Sequence, residues 1–160
     1  MTGILRRARL RRLARAVGAA LVIALVGAQF IRPEHPRGVL PSDGRMNDLV
    51  TVPNGVDSLL RRSCYDCHSD ETRWPWYSHV APVSWLVIHD VRHARGDLDF
   101  SRWSTDPVRE PTPQQQFRWM CQDVRRDIMP PRLYLLMHAD ARLSEADKDL
   151  LCGWTAEQGG

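Results

Sequence analysis

The sequence predicts an all-α fold, and three observations support this prediction. Apolar residues recur at helical spacing in the segment 112–128. The pair Thr112-Pro113 and the residue Ser144 are typical helix starts, because a hydroxyl can cap the first turn and proline is tolerated there. No strong strand pattern follows residue 68.

Length and charge exclude several classes of protein. The chain has 160 residues and a mass of 18.4 kDa, too short for a barrel enzyme or a two-domain dehydrogenase. Its net charge of +3 is unevenly distributed, because residues 1–31 hold six arginines and no acidic residue. Residues 32–160 carry 16 basic and 19 acidic residues, a net charge of −3. This distribution argues against a nucleic-acid-binding protein.

Residues 1–31 are predicted to be a signal or anchor segment. Residues 16–31 are uncharged and lie between two arginines, with the arginine-rich stretch on the N-terminal side. This pattern is typical of an uncleaved membrane anchor helix whose basic end stays in the cytoplasm. A cleaved signal peptide and an ordinary buried helix are the alternatives. We therefore expect the rest of the chain on the extracytoplasmic, periplasmic side of the cell membrane.

Residues 32–45 are predicted to be a spacer between this segment and a domain at 46–157. The spacer holds three prolines and two glycines and shows no apolar periodicity. Within the domain, helices are predicted over 54–66 and over 82–95, with Gly96 as the stop of the second. Two more start at Thr112 and Ser144, and the last is expected to bury Leu150, Leu151 and Trp154.

The motif that carries chemistry is Cys64-Tyr65-Asp66-Cys67-His68, the C-x-x-C-H pattern of covalent haem attachment. Two cysteines at this spacing can each form a thioether to one vinyl group of a porphyrin. The adjacent histidine can then bind the iron as an axial ligand. The sequence therefore predicts one haem c, attached through Cys64 and Cys67, with His68 on the iron.

Two other interpretations of this cysteine pair are open. A thioredoxin-like redox pair would need a preceding strand, whereas the residues before Cys64 have a helical pattern. A zinc site would need a second close pair of ligands, and the remaining cysteines, Cys121 and Cys152, lie 31 positions apart.

A resemblance to a known family covers most of the chain after the spacer. The stretches SCYDCHSDETRWPWYSHVAPVSWL (63–86), LDFSRW (98–103) and IMPPRLYLLMHADARLSEADKDLLCGW (128–154) are similar to the haem-binding domain family. That family consists of small, often membrane-anchored, cytochrome c-like proteins. The resemblance implies a cytochrome c-like helical domain around one covalent haem, located outside the cytoplasm.

Met129 is the predicted sixth ligand of the iron, opposite His68. Two prolines follow it, and they favour an extended backbone that can present the thioether sulfur to the ring. A role as core filler is the alternative for this methionine. The iron could instead be open or bound by one of four histidines: His79, His89, His93 and His138.

Further cofactor contacts are expected from residues that follow the motif. The indole of Trp74 or Trp76, or the guanidinium of Arg73, is predicted to donate to a haem propionate. A carbonyl near Pro75 or Pro82 is expected to accept from the second ring nitrogen of the ligating histidine.

Cys121 and Cys152 are predicted to form a disulfide. They are the cysteines left once the haem pair is assigned, and an oxidising compartment favours their pairing. Two buried free thiols are the alternative.

The function predicted from these features is single-electron transfer by a cytochrome, not enzymatic catalysis. The sequence shows no hydrolase elbow and no phosphate-binding glycine loop. We expect redox proteins as partners, together with the membrane through the N-terminal helix, and no nucleic acid. A haem-based gas sensor or a small peroxidase with an open sixth site is the alternative.

Overall fold

The computed structural model of the protein describes residues 2–36, 44–104, 106 and 111–158. These residues form helices and no strand, so the all-α prediction is confirmed. Part of the predicted spacer, residues 37–43, lies outside the described residues.

The chain divides into two compact units. One comprises Met1–His35 and Pro75–His89, and the other comprises Pro36–Trp74 and Asp90–Gly160. Along the chain, the α-helices are α1 (Thr2–Ala28), α2 (Met46–Leu49), α3 (Asn54–Ser63), α4 (Tyr65–His68), α5 (Val83–Asp97), α6 (Pro113–Arg125), α7 (Arg132–Leu135) and α8 (Glu145–Gln158). Two short 3₁₀ helices cover Trp76–His79 and Ala139–Ala141.

In the first unit, side-chain hydrogen bonds join the residues just after α1 to a residue just before α5 and to the first turn of α5. The Gln29 amide donates to the Ala81 carbonyl and accepts from the Ala81 amide, both at 3.0 Å. The Trp85 indole donates to the carbonyl of Ile31 at 2.8 Å. Among the described helices, none combines the length and the apolar character that crossing a membrane requires. The anchor stays a prediction.

The core of the second unit is formed by α3, α6 and α8, whose apolar faces meet. Phe117 of α6 contacts the ring of Trp154 of α8 edge-to-face, with centroids 5.4 Å apart. Leu60 of α3 and Leu151 of α8 are buried beside them. Removing a side chain of this size from water stabilises the fold by about 1.5–3 kcal/mol. The prediction that Leu150 is also buried is wrong, because it lies around the helix from Leu151 and is 46% exposed.

The predicted helix 54–66 is interrupted at Cys64. The backbone of Cys64 has φ −127° and ψ −37°, which ends α3 at Ser63 and starts the short α4 at Tyr65. The second predicted helix is longer than expected, because α5 continues through Gly96 to Asp97.

The third predicted helix starts as expected and ends early. The Thr112 hydroxyl accepts a hydrogen bond from the main-chain amide of Gln115, and the Gln115 side chain accepts from the main-chain amide of Thr112. Together the two residues form a capping box. The helix ends at Arg125, because Asp127 adopts a positive φ of 55° and turns the chain.

A disulfide joins α6 to α8, as predicted. Cys121 and Cys152 are bonded, with their Cα atoms 4.8 Å apart. The bond links the two helices on either side of the segment that contains Met129.

Candidate functional site

The cysteine-histidine motif lies where α3 gives way to α4. The amides of Cys67 and His68 both donate to the Cys64 carbonyl, which folds the motif into one tight turn. The His68 carbonyl in turn accepts from the Phe100 amide at 2.8 Å. Cys64 and Cys67 are free thiols, not bonded to each other.

A cavity of about 750 Å³ lies beside this turn, within the second unit. Its volume falls in the range of small-molecule and cofactor sites. Cys64, Cys67, His68 and Met129 all line it. The structure therefore brings together four residues that the sequence predicted for one site.

The His68 ring is oriented by the C-terminal end of α5. Its Nδ1 lies 2.9 Å from the carbonyl oxygen of Leu98 and 3.1 Å from that of Ala94. Because carbonyl oxygens only accept hydrogen bonds, Nδ1 carries the proton and Nε2 keeps the lone pair that a metal needs. Burial lowers the pKa of His68, which favours this neutral form.

The predicted position of the carbonyl that accepts from the second ring nitrogen of His68 was wrong. Neither Pro75 nor Pro82 marks the acceptor; the acceptors belong to Ala94 and Leu98. The physical reason is that carbonyl groups at the end of a helix have no further turn to bond, so that of Leu98, just after α5, is ready for a donor. The Ala94 carbonyl already accepts from the Leu98 amide at 2.9 Å and accepts from the ring in addition.

Both cysteines of the motif are held as neutral thiols. Burial raises the pKa of Cys64 to about 12 and that of Cys67 to about 11. A thioredoxin-like pair depends on a lowered thiol pKa, so this environment does not favour that alternative. In the part of the chain that the structure describes, no cluster of three or more His, Cys, Asp or Glu residues could hold a metal ion.

Met129 is positioned by the turn that follows α6. The amides of Ile128 and Met129 both donate to the Asp123 carbonyl, at 3.0 and 3.2 Å. Met129 also packs against the core cluster while lining the cavity. Pro130 and Pro131 follow it in the cavity wall and exclude a helical continuation at this point.

Comparison with known proteins identifies the family. The model of the haem-binding domain family matches residues 23–157, which is 135 of the 160 residues. The chain belongs to the haem-binding domain family. Haem is therefore the cofactor of this protein. Searches of curated proteins and of solved structures found no match.

The side chains of this haem-binding domain fit a haem. The neutral imidazole of His68 and the thioether of Met129 are both iron ligands found in haem proteins, and they share one cavity. The two thiols in the same wall are not joined in a disulfide, so both sulfur atoms are available for a thioether bond. Apolar neighbours such as Leu151 and Val124 suit a large, flat, apolar ring.

The remaining predicted haem contacts do not line this cavity. Trp76 belongs to the other unit and its side chain is 71% exposed, and Trp74 is not among the lining residues either. Arg73 instead pairs with Asp66, at 3.3 Å. A propionate contact at these residues stays a prediction.

One of the four alternative histidine ligands lines the cavity. His93, on α5, is among the residues that line the cavity. His79, His89 and His138 do not belong to it, and His138 stacks on the ring of Tyr134 with centroids 4.0 Å apart.

Sequence reasoning missed a polar pair in the cavity wall. The Tyr134 hydroxyl donates to the Asp66 carboxylate at 3.1 Å, and both residues line the cavity. Burial raises the pKa of Tyr134, so its hydroxyl remains a donor. The two residues are 68 positions apart, and no local pattern in the sequence indicates that they meet.

Proposed function

We propose that this haem-binding domain transfers single electrons through one covalently attached haem c. The observation that carries the proposal is the shared cavity of Cys64, Cys67, His68 and Met129. In this proposal the two cysteines attach the haem as thioethers, and the histidine and methionine bind the iron. Bound in this way, the haem would supply a one-electron ferric/ferrous couple.

The protein's own residues are suited to an electron carrier. Hydrogen bonds from Nδ1 of His68 to Ala94 and Leu98 fix the ring and raise its basicity as a ligand. A methionine thioether as the partner ligand raises the reduction potential. No acid–base step is required, so we propose an electron carrier and not an enzyme.

We further propose that the domain acts on the periplasmic side of the cell membrane, held there by its N-terminal helix. The arginine-rich start of α1 and the uncharged run after it support this location. The bond between Cys121 and Cys152 agrees with an oxidising compartment. The partners are then redox proteins of that compartment.

The experiment that tests the function compares the reduced protein with and without carbon monoxide. We expect an unchanged Soret band for the wild type, because Met129 would hold the iron and leave no position for carbon monoxide. Met129→Leu keeps the side-chain volume but removes the sulfur, so this variant is expected to bind carbon monoxide. Met120→Leu is the matched control, since Met120 also lines the cavity and is buried.

Two results would contradict this assignment. If the wild type binds carbon monoxide readily, the sixth site is open and the protein is better described as a haem-based sensor or a small peroxidase. If Met129→Leu and Met120→Leu both behave like the wild type, the sixth ligand is another residue, and His93 is the first to test because it lines the cavity.

A further inference from the structure

The hydrogen bond between Tyr134 and Asp66 joins the two segments that carry the proposed axial ligands. Asp66 lies inside the cysteine-histidine motif, two residues before His68. Tyr134 lies in α7, five residues after Met129. The hydroxyl of Tyr134 is 3.1 Å from Oδ2 of Asp66.

Asp66 is a fixed acceptor that does not depend on Tyr134. Its Oδ1 accepts from the main-chain amide of Arg73 at 3.1 Å, and the Arg73 guanidinium contacts both carboxylate oxygens at 3.3 Å. The carboxylate is also shielded from water, since the Asp66 side chain is 12% exposed. A hydrogen bond to a partly buried, ionised acceptor is stronger than one between neutral groups.

The segment from Met129 to Met137 has few other attachments to the domain. Among its described side chains, Tyr134 alone makes a hydrogen bond to a residue outside the segment. Three of its large apolar side chains are mainly exposed: Leu133 at 70%, Leu136 at 76% and Met137 at 60%. The segment is also held by the packing of Met129 against the core, by the buried Pro130, by contacts of α7 with the 3₁₀ helix Ala139–Ala141 and by the main-chain bond from Met129 to Asp123.

We propose that Tyr134 and Asp66 are positioning residues. Their hydrogen bond holds the segment from Met129 to Met137, the Met129 segment, against the cysteine-histidine motif. The inference rests on the proposed ligation of iron by His68 and Met129. The hydrogen bond sets the equilibrium between a closed segment, with Met129 on the iron, and an open segment that admits an external ligand. An external ligand competes with Met129 for the iron. Destabilising the closed state therefore raises the apparent affinity of the external ligand.

The test measures imidazole binding to the oxidised, haem-loaded full chain. Tyr134→Phe removes only the hydroxyl, and we expect it to raise the apparent imidazole affinity about ten- to a hundredfold, the range for losing a hydrogen bond to a charged group. Tyr77→Phe is the matched control. Tyr77 lies in the 3₁₀ helix Trp76–His79, outside both the cysteine-histidine motif and the Met129 segment, so the imidazole affinity of this variant is expected to match the wild type.

A double-mutant cycle separates the pair from general loosening of the fold. Asp66→Ala should raise imidazole affinity as Tyr134→Phe does, and the double variant should raise it no further. Asp66→Asn keeps an acceptor oxygen and is expected to have a smaller effect. Circular dichroism and thermal unfolding of each variant show whether the fold is intact. A rise in imidazole affinity that occurs only in variants that have lost structure would contradict a positioning role.

The outcomes separate the inference from the proposed function. If Met129→Leu gains imidazole affinity and Tyr134→Phe does not, Met129 is the ligand and the positioning role is wrong. Independent, additive effects of Tyr134→Phe and Asp66→Ala would also overturn it. If Met129→Leu has no effect, the proposed ligation fails, and the positioning role fails with it.

Discussion

The Nδ1 nitrogen of His68 lies 2.9 Å from the main-chain carbonyl oxygen of Leu98. The acceptor is part of the backbone, so the tautomer of the proposed iron ligand is set by where α5 ends. Ala94, one turn earlier, supplies a second acceptor at 3.1 Å. The histidine is therefore held in the form that offers Nε2 to iron, without help from another side chain.

We predict that the Nδ1 proton of His68 exchanges slowly with water in the reduced, haem-loaded protein. It is partly buried and shared between two carbonyl oxygens, so the ring must move before exchange can occur. Proton NMR after transfer into heavy water measures the rate. Complete exchange within the dead time, or a proton found on Nε2, would contradict the assigned tautomer.

Loss of the disulfide is predicted to destabilise the fold without releasing haem. Replacing both Cys121 and Cys152 by alanine opens a loop with a sequence separation of 31, which costs about 3–4 kcal/mol in the chain-entropy estimate. Urea unfolding measures the difference in the free energy of unfolding. The unreduced wild type should also weigh two protons less than its reduced form, and equal masses would refute the bond.

Arg95 is a buried cation without a carboxylate partner within 4.0 Å among the described residues. Its side chain donates to the Pro36 carbonyl and the Thr72 hydroxyl, while its Nε has no hydrogen-bond partner in the part of the chain that the structure describes. Only 8% of the residue is exposed. Its positive charge acts on Cys67, where it partly offsets the burial that raises the thiol pKa, so the charge lies close to the proposed haem site.

We predict that Arg95→Gln lowers the reduction potential. A buried positive charge favours the state that has gained an electron, and losing it should cost on the order of 1 kcal/mol, or about 40 mV for a one-electron couple. A spectroscopic redox titration measures the shift. Arg102→Gln is the control, because Arg102 is 42% exposed and pairs with Asp99. Equal shifts for both variants would rule out a specific effect of burial.

The capping box of α8 is predicted to give a pH-dependent contribution to stability. The Ser144 amide and hydroxyl both donate to Asp147, at 2.8 and 2.7 Å, and hold its pKa below the usual value. Because the folded pKa is depressed, the contribution is fully present above the unfolded pKa of about 3.9. It is lost as the pH falls through the folded value.

Asp147→Ala should therefore lower the free energy of unfolding by about 1 kcal/mol at pH 7, the usual cost of losing a helix cap. The difference from the wild type should narrow below about pH 4. Asp149→Ala on the same helix is the control, since Asp149 is 67% exposed and should contribute little. If Asp147→Ala lowers the free energy of unfolding by the same amount at every pH, the contribution of Asp147 is not ionic.

The sequence predicted those parts of the fold that depend on local patterns. The starts of α6 and α8 followed from Thr112 and Ser144, whose side chains cap the helices as expected. The cysteine-histidine motif indicated the site because its chemistry depends on residue spacing alone. The Cys121–Cys152 disulfide followed from the number of cysteines and the expected compartment.

The features that the sequence did not predict depend on contacts between distant residues. Ala94 and Leu98 act on His68 through main-chain oxygens, which every residue possesses, so no residue type marks them. The pair of Asp66 and Tyr134 forms only once α7 is placed beside the motif. The early end of α6 depends on the positive φ of Asp127, a conformation that aspartate tolerates but does not require.

The mass of the denatured protein tests the central claim most directly. The chain should be purified from a host that attaches haem to cytochromes c, then unfolded and extracted with acidified organic solvent. We predict the mass of the polypeptide plus one haem for the wild type and the mass of the polypeptide alone for the Cys64→Ala, Cys67→Ala double variant. A wild-type chain found at its polypeptide mass would contradict covalent attachment and the function built on it.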